Sequence, residues 1–234
     1  MKATQRIRWI LALVLVGLTA AAGARPTPYE APGPYRVDVR DVRWRDPDRE
    51  RELPLRIRVP DAPGARSVIL FSHGLGGSVE GGRFWGEHWA SHGFVVIHLQ
   101  HPGSDESVWR GTANPGRVLR RAAGPRQFAD RIADVKFVLD ELQRRKEAGD
   151  PLATRIDLAR IGMSGHSFGA ITTQAIAGET FGAVARTQAV ADPRPRAFIA
   201  FSPSARSKDD ANRFADISRP FFSITGTRDD SAAL

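Results

Sequence analysis

With 234 residues, 41% of them hydrophobic and 26% charged, the chain is long and apolar enough to bury the core of one globular domain. The net charge of +8 comes from arginine, but the arginines alternate with acids, as in Arg45-Asp46-Pro47-Asp48-Arg49-Glu50-Arg51, and no aromatic–basic stripe accompanies them. That pattern argues against nucleic-acid binding, and the absence of cysteine rules out a disulfide framework or an acylated cysteine anchor.

Residues 1–24 have the layout of a secretory signal peptide. Lys2, Arg6 and Arg8 precede an apolar run from Trp9 to Leu18, and Ala20-Ala21-Ala22-Gly23-Ala24 offers an Ala-x-Ala site ending at Ala24. The apolar run is short for a bilayer span. The expectation is a free periplasmic or secreted bacterial product with no stable membrane insertion after cleavage; an uncleaved anchor is the rival reading. Residues 25–34 are a proline-rich lead-in, and residues 35–234 form the domain.

Taken in chain order, Tyr35 to Trp44 reads as an early strand. Leu53, Leu55, Ile57 and Val59 alternate with polar residues, as in a half-buried strand, with Arg45 to Glu52 as a hairpin connection. Ser67 to Phe71 is a continuous apolar run suited to a central strand, and Phe94 to Leu99 is another. Between them Gly82 to His92 reads as a helix stopped by Gly93. Asp105 to Pro125, polar with several glycines and prolines, reads as a long loop. Gln127 to Glu147 is the strongest helix, with Phe128, Ile132, Val135, Val138, Leu139 and Leu142 at helical spacing. Arg160 to Met163, Ala197 to Phe201 and Phe221 to Thr225 are further short strands, and Ala170 to Ala177 is a helix. Strand–helix alternation after an early hairpin predicts the α/β class with a mostly parallel sheet flanked by helices.

The chemistry concentrates in Gly165-His166-Ser167-Phe168-Gly169. A Gly-x-Ser-x-Gly between a strand and a helix is a nucleophile elbow, a turn so tight that the serine backbone is strained and its flanks must be glycine. Ser167 is therefore the candidate nucleophile. Such a serine needs a base, an orienting acid and an oxyanion hole. Ser72-His73-Gly74-Leu75-Gly76-Gly77-Ser78 follows a central strand, where one oxyanion donor belongs. The other donor follows the nucleophile, so the backbone N–H groups of Leu75 and Phe168 are nominated. Asp229, just past the last strand in Thr225-Gly226-Thr227-Arg228-Asp229-Asp230, is the candidate acid, with Asp230 the alternative.

The base is not evident. His73, His88, His92, His98, His101 and His166 all precede Ser167, whereas the order Ser…Asp…His puts the base after the acid. The expectation is a base histidine, a final strand and a helix beyond Leu234, so that the domain is C-terminally incomplete as read. His73 and His101, each after a strand, are the alternatives weighed as substitutes. His88 and His92 have metal-ligand spacing, but Trp89 stands where a zinc peptidase carries glutamate, so neither a metal nor a cofactor is expected. Trp85, Trp89 and Trp109 serve either an acyl pocket or core and lid packing.

Together these segments resemble the α/β-hydrolase superfamily. The similarity is strongest to its dienelactone-hydrolase-like and platelet-activating-factor-acetylhydrolase-like serine esterases. It is carried by Phe71–Ser78, Ala90–Val96, Gln100–Asp105, Gly165–Ala170 and Thr225–Asp230. True dienelactone hydrolases use a cysteine nucleophile, which this chain lacks. The resemblance implies cleavage of a small-molecule ester or lipid through an acyl-enzyme on Ser167, with a distal histidine shuttling the proton and Asp229 orienting that histidine. A polyester or lipid hydrolase and a non-catalytic binding protein of the same fold are the competing expectations.

Overall fold

The computed structural model describes residues 29–180, 190–203 and 210–227. Its elements lie in the compact unit that begins at Gly33. The signal segment, residues 25–28 of the lead-in, and both Asp229 and Asp230 fall outside the described residues.

The charged segment after Trp44 is a hairpin turn. Strand β1, Val37–Asp46, pairs antiparallel with β2, Arg51–Pro60, from Val37 opposite Pro60 to Asp46 opposite Arg51. Leu53, Leu55, Ile57 and Val59 are buried, the alternate positions of a strand with one face inward. Strand β3, Arg66–Ser72, helix α1, Arg83–Ser91, and strand β4, Val95–Leu99, form a parallel crossover unit. Helix α1 ends on Gly93, at φ 98. The Gly93 N–H donates to Ala90 O at 2.9 Å and the Phe94 N–H to Trp89 O at 3.2 Å, the bond pair of a Schellman cap.

The stretch Asp105 to Pro125, expected as a loop, contains helix α2, Pro115–Ala122. Its proline and asparagine are start signals rather than breakers. Pro115 sits where no N–H is needed, and Asn114 Oδ1 accepts from the Arg117 N–H at 3.1 Å. Helix α3, Pro125–Glu147, buries Phe128, Ile132, Val135, Val138, Leu139 and Leu142. Each fully buried aliphatic of that stripe contributes roughly 2 kcal/mol.

Strand β5, Ile156–His166, is longer than the expected Arg160 to Met163. Its register against β3 shifts between Ser67 and Val68, opposite Asp157 and Ile161, and this irregularity within β5 breaks the alternation that would have shown its length. Helix α4, Phe168–Ala177, and strands β6, Pro195–Phe201, and β7, Phe221–Ile224, follow. The sheet order is β1-β2-β4-β3-β5-β6-β7. The two pairings of β2 are antiparallel and the other four are parallel. The fold is thus α/β, a seven-stranded, mostly parallel sheet with four helices among the described residues.

Helices cover both faces. Val68, Leu70 and Met163 share one apolar cluster with the buried stripes of α3 and α4. On the other face Trp85 and Trp89 of α1 pack on Phe71, which stacks on His98 at 4.8 Å. Beyond Trp89 this second face opens into an apolar groove of about 590 Å³ lined by Ile69, Phe94, Gly162 and Ile199. Phe222 and Ile224 of β7 are 62% and 39% exposed. No helix among the described residues is long and apolar enough to cross a membrane.

Candidate active site

The C-terminal ends of β3, β4 and β5 meet at one edge of the sheet, and the turn after β5 carries a residue in strained backbone. Ser167 has φ 54 and ψ −116, a conformation that L-residues avoid at a cost of about 1–3 kcal/mol. The surroundings hold it in place. Its N–H donates to Phe201 O at 2.9 Å, and its own carbonyl accepts from the Ala170 and Ile171 N–H groups at 2.8 and 3.1 Å. The flanking glycines are sterically required. A Cβ on Gly165 would lie 2.2 Å from Gly169 O, and one on Gly169 would lie 1.9 Å from Ser72 O. Ser167 itself is only partly buried, so its hydroxyl is reachable.

The loop after β3 lies directly against this turn. A Cβ on Gly74 would lie 3.5 Å from Ser167 Cβ and 3.2 Å from His166 Nδ1, so the loop packs in close contact with the turn. The Leu75 and Phe168 N–H groups make no hydrogen bond among the described residues. For Phe168 this follows from its place at the start of α4, whose first N–H groups have no intrahelical acceptor. The orientation of the Leu75 N–H is fixed through its own peptide plane. The other end of that plane, Gly74 O, accepts from Gly77 N–H at 3.1 Å and from His73 Nδ1–H at 2.6 Å.

That assigns the His73 tautomer. Its Nε2 accepts from the His101 N–H at 3.1 Å, so the proton is on Nδ1. His73 therefore braces the loop. A second brace comes from the segment after β4. The Gly76 N–H donates to Ser104 O at 2.9 Å, the Glu106 N–H to Gly77 O at 2.8 Å, and Trp109 Nε1–H to Gly76 O at 2.7 Å. Trp109 thus packs over the loop. Trp85 stacks on Phe201 with ring centroids 3.9 Å apart, against the residue whose carbonyl holds Ser167.

Beneath the loop lies a polar cluster that the sequence reading missed. His101 Nδ1–H donates to Asp134 Oδ2 at 2.9 Å, and His101 Nε2 accepts from the Ser72 hydroxyl at 3.0 Å. The connectivity is that of a Ser-His-Asp relay, but all three residues are at most 1% exposed, so no substrate reaches it. Asp134 also accepts from Arg49 Nη1 at 2.8 Å and Arg51 Nε at 2.9 Å, so the hairpin arginines are partly anchors rather than a solvated face. Arg131, one turn before Asp134, is fully buried. Its guanidinium donates to Ser104 Oγ at 2.8 Å, Ser72 Oγ at 3.2 Å, Thr172 Oγ1 at 3.3 Å and the His73 carbonyl. The available signal was that Arg131 and Asp134 interrupt the apolar stripe of α3, at Phe128 + 3 and Val138 − 4, where solvated charges do not belong.

Burial sets the charge states. It drives His101 down to about 4, helped by the Arg131 charge and opposed by Asp134. Burial, with Arg131 and His101, holds His73 well below its ordinary value. Burial lowers Arg131 to about 9, against the pull of Asp134 and Asp105, which still leaves it a cation at neutral pH. For Asp134 burial acts upward, but the bonds and charges of His101 and Arg51 outweigh it and keep the carboxyl below the usual range.

The histidines weighed as substitute bases are placed elsewhere. His73, His98 and His101 are buried and bonded as braces; His98 Nδ1–H donates to Gly81 O at 3.0 Å. His88 and His92 face each other on and just past α1 with ring centroids 4.6 Å apart. His166 is exposed beside Gly74. Among the described residues none hydrogen-bonds the Ser167 hydroxyl. The candidate acids Asp229 and Asp230 lie outside the described residues, four and five residues past Thr225, which directly follows β7. Neither protein-family models nor curated protein sequences match this chain.

Proposed function

We propose that this chain is an exported serine hydrolase of the α/β-hydrolase superfamily that cleaves carboxylic esters, its substrate being a small-molecule ester or lipid. The observation that carries the reading is the backbone of Ser167 at φ 54 and ψ −116, wedged between β5 and α4 with Gly74 against its Cβ. Strain of this kind survives where the surroundings over-determine it, and it clusters at reactive positions. Here it holds a partly buried serine between a loop and a helix start whose Leu75 and Phe168 N–H groups make no hydrogen bond among the described residues.

The chemistry follows from that placement. Ser167 Oγ attacks the ester carbonyl and its proton passes to the base. The carbonyl oxygen, now carrying the negative charge, is held by the N–H groups of Leu75 and Phe168. Each such donor contributes roughly 3 kcal/mol at the transition state. The base returns the proton to the leaving alcohol. Water then repeats the sequence on the acyl-enzyme, releases the acid and restores Ser167. This reading assigns the orienting role to Asp229 and the proton transfer to a histidine, yet among the described residues no histidine hydrogen-bonds the Ser167 hydroxyl. That same observation favours the second reading, a hydrolase-fold protein that binds without catalysis.

The test is hydrolysis of p-nitrophenyl esters of increasing acyl length by the native gene product and its Ser167→Ala variant. The proposal expects turnover that the substitution abolishes. Equal rates from both proteins would overturn it, and no turnover from either would favour the binding reading.

A further inference from the structure

The two oxyanion donors assigned above come from different elements: Leu75 from the loop after β3, Phe168 from the first residue of α4. Their usefulness depends on the gap between them, since a donor displaced by about 1 Å loses most of its effect. One side chain touches the anchors of both. Arg131 Nη2 donates to the His73 carbonyl and to Ser72 Oγ, which fixes the strand end and the peptide plane entering Gly74. The His73 ring then fixes the next plane, whose N–H is that of Leu75. On the other side Arg131 Nε donates to Thr172 Oγ1, one turn into α4, and the guanidinium lies over the Phe168 ring at 4.6 Å. Its third nitrogen, Nη1, donates to Ser104 Oγ, and Ser104 O holds the Gly76 N–H.

From this we propose that Arg131 is a positioning residue that locks the two halves of the oxyanion hole at a fixed separation. The inference rests on the esterase reading of Ser167. All three guanidinium nitrogens are spent on anchors of the two donor segments, and every acceptor is a neutral hydroxyl or carbonyl. A buried cation without a directly bonded carboxylate is a poor device for stability, and an apolar residue of similar volume would do better. A planar fork with donors in fixed directions is, however, suited to setting the relative position of three segments. Lysine carries its three donors on a single nitrogen and cannot span these segments.

The experiment uses the native gene product and four proteins: wild type, Arg131→Lys, Ser104→Ala and Thr172→Val. A fluorophosphonate adduct on Ser167 first establishes whether the wild type has an active nucleophile. For each protein kcat, KM, the affinity for an alkylboronic acid, which becomes a tetrahedral anion on Ser167, and the affinity for the product carboxylate are then measured. In Arg131→Lys we expect kcat and boronate affinity to fall together by roughly ten- to a hundredfold, with KM and product affinity within about twofold. Ser104→Ala and Thr172→Val, each cutting one line of the fork, should show the same split at severalfold and carry the test if Arg131→Lys does not fold. Thermal midpoints that drop while kcat and boronate affinity hold would make Arg131 a fold residue only and overturn the proposal, leaving the esterase reading intact. A wild type that is not labelled would overturn both.

Discussion

Lowering the pH from 7 to 4 should unfold this protein through histidines rather than carboxylates. His73, His98 and His101 are each about 1% exposed or less and are kept neutral by burial, His98 down to about 3 and His101 down to about 4. Above an ordinary histidine value near 6.5 the folded and unfolded chains bind equal numbers of protons at these sites, and stability is flat. Below it the unfolded chain takes up three protons that the folded chain refuses, so stability falls until the folded values are reached. Each histidine contributes about 1.4 kcal/mol per pH unit, so the three together give a slope of about 4 kcal/mol per unit. By pH 4.5 His98 and His101 alone account for a loss of about 5 kcal/mol, and His73 adds to it, which already reaches the 5–15 kcal/mol that holds a typical domain together. The expected acid midpoint therefore lies near pH 4.5. The buried Asp134, whose pairing with His101 and Arg51 is lost only below the ordinary carboxylate range, adds its share later. Urea titrations followed by tryptophan fluorescence at half-unit steps from pH 7.5 to 4.5 measure the slope. His98→Gln should reduce it by one proton, to about 3 kcal/mol per unit. A slope under one proton per pH unit across pH 6 to 4.5 would refute the reasoning, since it would mean that these histidines are solvated.

The strain at Ser167 has its own signature. Ser167→Gly should raise stability by about 1–3 kcal/mol in urea unfolding, because glycine tolerates φ 54, whereas Ser167→Ala should not. Equal effects of the two substitutions would mean the turn is unstrained. Gly169→Ala puts a Cβ 1.9 Å from the Ser72 carbonyl, a backbone atom that cannot swing aside. It should cost about 3 kcal/mol or more and reduce soluble yield, while Gly103→Ala, with open space around it, should cost only the φ penalty of about 1 kcal/mol.

Much of the sheet was legible because its strands obey simple rules. The alternation of Leu53, Leu55, Ile57 and Val59 has the period of a strand, and the apolar runs of β3 and β4 are too short for a buried helix and are bounded by turn residues. Helix α2 was not legible, since Pro115 and Asn114 serve equally well as loop residues and as a helix start, and only the packing of Leu119 on Gly76 separates the two. Half of β5 was hidden by a register shift. At the site, the Gly-x-Ser-x-Gly turn and the glycine loop were visible because steric demands leave few residue choices there. The cluster of Ser72, His101, Arg131 and Asp134 was not, because its members are up to 62 residues apart and each alone resembles a surface residue. Only their burial makes them a unit, and burial is a property of the sheet and helices together.

The most direct measurement is the mass of the native gene product after treatment with a fluorophosphonate, with peptide mapping of the adduct. The account predicts a single adduct on Ser167, absent from Ser167→Ala and retained at reduced rate when Arg131 is lysine. An unmodified wild-type protein, or an adduct on another residue, would contradict it.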